Sequence, residues 1–136
     1  MKFDPEKDSA PIPFRADVCQ SALEMKESGL VWRPHVGCFV WDPDVIVKQP
    51  SPFPNRIYFI LSMPRFLEIF GSTLNMMDKL VWLPTWHQAR SICRQLEIPD
   101  DMIFNLFQRD LLVDADLKNI YDCIRSTLEK QAIKRD

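Results

Sequence analysis

Few residues in this chain are chemically reactive. It holds two histidines, His35 and His87, and four cysteines, Cys19, Cys38, Cys93 and Cys123. His35 and Cys38 have the spacing of half a zinc site, and His87 with Cys93 could supply two more ligands. Geometry argues against such a centre. Positions i and i+3 of a strand point to opposite faces, and residues six apart on a helix lie about 240° around its axis. No metal and no cofactor is therefore expected. A nucleophilic cysteine meets a similar objection. A reactive thiol needs a cation or a helix N-terminus to lower its pKa, whereas Cys38 sits among Val36, Phe39 and Val40. The cysteines read as small core residues.

Carboxylates pair at Asp42/Asp44, Asp100/Asp101 and Asp114/Asp116. Each pair falls at an expected turn or helix start, where capping and the helix dipole account for it. No general acid–base pair is assigned. With three glycines in the whole chain, a glycine-rich phosphate loop has no material to form from. His87, Arg90 and Arg94 recur at i, i+3 and i+7 on an expected helix. They form a small basic stripe that could meet an anion or an acidic partner, or simply be a solvated face.

Aromatic residues and prolines cluster together. Trp32, Pro34 and His35 lead into an apolar run, Trp41 and Pro43 close it, and Pro50, Pro52, Phe53 and Pro54 follow. If the loop around Phe53 and the turn after Trp41 share one end of a sheet, those two side chains make a rigid patch suited to an interface. The alternative is that the aromatics are core and the prolines stiffen loops.

Composition sets the frame for these features. The chain has 136 residues, 46% apolar and 26% charged, with nine Phe, four Trp and two Tyr. That is enough for one aromatic-rich core and one domain. A net charge of −2 and the lack of a clustered basic face disfavour nucleic-acid binding. Helices around 85–97 and 101–112 could suggest a DNA reader, but the second carries large apolar residues and a single Arg109. Recognition needs polar side chains at base edges. No apolar run approaches the ~20 residues of a membrane span. The N-terminus has no apolar signal core, and the cysteines form no C-x-x-C. A cytoplasmic location with free thiols is the expectation.

The elements that must position these residues read as follows. Residues 1–16, with Pro5, Pro11 and Pro13, form an extended arm that can dock through Ile12 and Phe14. Residues 17–136 form a single α+β domain. A first helix runs from an Asp17 cap to a Gly29 stop. A small three-stranded antiparallel meander occupies about residues 36–61, with strands at 36–41, 45–47 and 56–61. Continuous apolarity predicts that both faces of the sheet are covered. Five to six helices follow or flank it, and the C-terminal half is all-helical. Ser62, Ser72 or Thr73, Thr85, Asp100 and Asp114 are the expected caps. Pro84 is expected to end the helix that begins near Leu74.

Two functions are expected from this. The first is a non-enzymatic interaction or accessory module that uses Trp41 and Phe53, with a protein partner or a second copy of the chain as the expected binding partner. The second is a binding protein or enzyme for a small molecule, an anion being one candidate ligand. Its pocket would lie between sheet and helices near His35 and His87, with Arg90 and Tyr58 as further polar groups.

Overall fold

The computed structural model describes Asp4, residues 12–109 and residues 116–135. Most of the expected N-terminal arm, Pro5 and Pro11 included, and the expected Asp114 cap lie outside the described residues. From Ile12 onward the chain packs on its own domain. Phe14 is buried and its ring lies 5.1 Å from that of Phe39.

Six helices and a three-stranded antiparallel sheet make up the described fold. Helix α1 spans Ala16–Glu27, strand β1 Phe39–Trp41 and strand β2 Ile57–Phe59. Helices α2 (Met63–Phe70) and α3 (Thr73–Lys79) lead to strand β3 (Val81–Leu83). Helices α4 (Trp86–Gln95), α5 (Asp100–Arg109) and α6 (Asp116–Arg135) follow. The fold class is α+β, as the sequence predicts. Among the described residues no helix is long and apolar enough to cross a membrane.

The strand order differs from a meander over 36–61. β1 is central, with β2 on one side and β3 on the other, both antiparallel to it. Val40 faces Tyr58 and Trp82 across the two ladders, while Trp41 faces Ile57 and Val81. Because side chains alternate along strands, these rows supply opposite faces. Ile57, Val81 and Leu83 join a core with α1, α4, α5 and α6. Val40, Tyr58 and Cys38 join a second core with α2 and α3. The sheet is thus covered on both sides, which accounts for its unbroken apolar runs.

Two segments were expected to take other conformations. Val45–Val47 is not a strand. It belongs to the loop from β1 to β2, and its backbone is claimed by the buried carboxylate of Asp42, which accepts from Ile46 N at 3.1 Å and Val47 N at 2.8 Å. The third strand is Val81–Leu83, in a stretch expected to be helical, so the C-terminal half is not all-helical. Lys26 of α1 donates to the carbonyls of Asp78 and Leu80, satisfying the chain where α3 ends. Leu80 is already extended there, and the β-formers that follow complete the free side of β1.

Most helix boundaries follow the expected chemistry. Ser72 accepts from Asn75 N to cap α3, and Thr85 with Gln88 forms a full capping box on α4. Ser62 is the N-cap residue of α2 by position, without a side-chain hydrogen bond, and Gly71 ends that helix at φ +84°. Asp17 does not cap α1. Arg15 holds that position, and Asp17 lies in the first turn and pairs with it at 3.1 Å.

Candidate functional site

A cavity of about 890 Å³ opens between the 28–35 segment, β3, α4 and the last turns of α6. Gly29, at φ +105°, turns the chain out of α1. The residues after it belong to no helix or strand, Pro34 disfavours helix at Arg33, and their burial alternates. Trp32 and Pro34 are buried, while Val31, Arg33 and His35 are exposed. This period of two places Arg33 and His35 on one side, at the mouth of the cavity.

α4 contributes a single stripe: His87, Gln88, Ser91, Ile92, Gln95 and Leu96. These positions neighbour one another on a helix surface. The Thr85–Gln88 capping box fixes where the helix starts, and so which stripe faces the cavity. α6 adds Leu128, Gln131 and Ala132 from one face. β3 adds Trp82, whose indole stacks on Trp32 with centroids 6.2 Å apart and rings 12° from parallel.

His35 and His87, far apart in sequence, therefore line one cavity. His35 Nδ1 donates to the Val36 carbonyl at 2.8 Å, leaving Nε2 as the ring atom for any ligand. Arg33, His35 and His87 are the ionisable lining residues, and no Asp, Glu or Cys is among them. The adjacent Glu129 is engaged by Arg125 at 3.2 Å and by Ser28 at 3.4 Å. The wall offers cationic and neutral donors around an apolar interior of Leu30, Trp32, Trp82, Ile92, Leu96 and Leu128.

The other expected site residues lie elsewhere. Arg90 is held by Asp100 at 3.2 Å, and neither it nor the exposed Arg94 lines the cavity. Only His87 of the basic stripe does so, because i+3 and i+7 sit around the helix from the i+4, i+5 stripe that faces inward. Tyr58 belongs to the opposite face of the sheet, where its hydroxyl donates to the Gln49 carbonyl at 2.7 Å. Trp41 and Phe53 are half-buried and packed against the larger core, with Phe53 5.8 Å from Phe39 in an edge-on contact. Arg33 is an ionisable lining residue that no motif in the sequence singles out. Arg33 had one available signal, an alternating segment beside a proline with a cation on the same side as His35.

The four thiols are free. Burial pushes Cys19 up to about 11, with Asp17 adding to it, and Cys93 up to about 11, with Cys123 adding to it. Burial also raises Cys38 and Cys123. Such thiols hold little thiolate at neutral pH and are poor nucleophiles. Among the described residues no group of three or more His, Cys, Asp or Glu is placed to hold a metal ion. No protein-family model matches the chain, and no curated protein or solved structure matches it.

Proposed function

We propose that this chain binds a small organic anion with an apolar body in the cavity lined by Arg33, His35 and His87. The observation that carries the reading is the charge of the wall. Acidic residues outnumber Lys and Arg in the chain, 19 to 17, yet the ionisable lining is one Arg and two His with no carboxylate. A concave, largely apolar site with a few polar groups is the usual form of a small-molecule pocket, and about 890 Å³ falls in the usual size range. The apolar interior takes the body of the ligand, and the Arg33 guanidinium and the two imidazoles at the mouth take its charge. The side of α4 near its N-terminus adds positive potential.

Thermal unfolding tests this with three probes of equal chain length: decanoate, decanol and decyltrimethylammonium. Decanoate at tenfold excess over its Kd should raise the melting temperature by about 5 °C. Arg33→Gln and His87→Gln should each shrink that rise. Equal stabilisation by the cationic probe would sink the reading.

A protein-docking module ranks second. It depends on Trp41 and Phe53, and both side chains are already engaged with the core. It predicts self-association or partner capture lost in Trp41→Ala and Phe53→Ala without unfolding. A strict monomer by light scattering removes the self-association part.

A further inference from the structure

The cavity wall contains an anomaly that charge alone does not explain. Trp32 and Trp82 both line it, and the indole Nε1 of each is buried with no hydrogen-bond partner. A buried N–H left unpaired destabilises a protein, and native structures keep few of them. Here two stand on one stacked pair at one cavity.

Resting on the anion-binding reading above, we propose that the ligand is an oxo acid. Its carboxylate is held by Arg33 and the two imidazoles at the mouth, and a carbonyl on its apolar body accepts from the Trp32 or Trp82 indole. Position and charge separate the two ends. Arg33, His35 and His87 are exposed, whereas Trp32 is 6% exposed. The two indole nitrogens are themselves buried and so lie deeper than the exposed groups at the mouth. A carboxylate buried without a cation is far more costly than a carbonyl given a single donor. The deep acceptor is therefore uncharged. Neighbouring atoms cover both Nε1 atoms as the side chains stand, so an indole turns in its socket to present the N–H. That motion disturbs the Trp32–Trp82 stack and gives a direct readout.

Decanoate and 9-oxodecanoate differ by one carbonyl and make the test. By calorimetry on the unmodified chain, 9-oxodecanoate should bind about tenfold tighter, the value of one good hydrogen bond. Among the four indole N–H resonances, those of Trp32 and Trp82 should move farther with 9-oxodecanoate than with decanoate. Trp32→Phe and Trp82→Phe keep a ring and remove the donor. At least one should abolish the tenfold preference, so that the two acids bind that variant equally. If the two acids bind equally, the oxo-acid inference is wrong and the anion site stands. Tighter binding of decanedioate than of 9-oxodecanoate also overturns it, because the deep acceptor would then be charged. If neither monoacid binds, the anion-binding reading itself fails. The calorimetry and resonance arms need no variant, so a misfolded tryptophan mutant leaves the test intact.

Discussion

Tyr121 on α6 donates its hydroxyl hydrogen to the carbonyl of Pro84, between β3 and α4. Both groups are buried. The bond ties together three elements that wall the candidate cavity. Tyr121→Phe keeps the ring and leaves the Pro84 carbonyl without that donor. The expected loss is roughly 1–3 kcal/mol in urea unfolding. Because the spacing of α6 and α4 depends on the bond, the decanoate-induced thermal shift should fall as well. A variant as stable as the parent, with an unchanged shift, would show that apolar packing alone holds these walls together.

Asp42 organises the loop between β1 and β2. It is fully buried and accepts from Ile46 N, Val47 N and Arg56 Nη2, the last at 2.9 Å. Asp42→Asn replaces one acceptor oxygen with a donor and removes the charge facing Arg56. Arg56 remains about one-third exposed, so solvent offsets part of the loss. About 3 kcal/mol is expected, near the low end for breaking a buried pair. Equilibrium denaturation measures it. A change under about 1 kcal/mol would mean that water replaces the carboxylate there.

The same two residues show what could and could not be read beforehand. Asp42 followed by Pro43 is a turn signal in any sequence, and the turn is present. Nothing local reveals that its carboxylate is buried and takes up the N–H groups of a Val-Ile-Val run, so that run looked like a strand. Val81–Leu83 failed the other way. A short apolar run fits strand and helix alike, and no breaker separates it from α3. What settles it is Lys26, far away in sequence, together with an open edge on β1. The long stripe of α6 was readable because Leu117, Ile120, Tyr121 and Ile124 all face one core and all are buried. The cavity was half readable. His35 and His87 stood out by their chemistry, while the contribution of α6 depends on a tertiary packing that no spacing encodes.

Val45 carries a backbone cost that the loop imposes. Its φ is +56°, a region that β-branched residues strongly avoid. Its side chain is 48% exposed and gives little packing in return. Val45→Gly should relieve the strain while raising the entropy of the unfolded chain. A net stabilisation of about 0.5–1 kcal/mol is expected. Val45→Asn should gain about as much, since Asn tolerates this conformation. If both variants are destabilised, the Val45 side chain is contributing contacts that outweigh the strain.

The buried thiols make stability depend on alkaline pH. Cys19 and Cys93 are raised from 9.0 to about 11 in the folded chain, chiefly by burial. Above the ordinary thiol range the unfolded chain releases these protons while the folded chain keeps them. Raising the pH therefore favours unfolding. Their contribution is fully present below pH 9 and is lost as pH rises through about 11. Urea midpoints from pH 8 to 11 should fall progressively. Cys93→Ala and Cys19→Ala should each flatten the slope, despite a lower starting stability from the lost volume. The Cys123 thiol is only half-buried, so it should react first with a disulfide reagent at pH 8, ahead of the three buried thiols. A slope that survives in the double variant would place the alkaline transition on other groups. The fully buried Tyr121, whose hydroxyl burial holds well above its ordinary range, is the first to test.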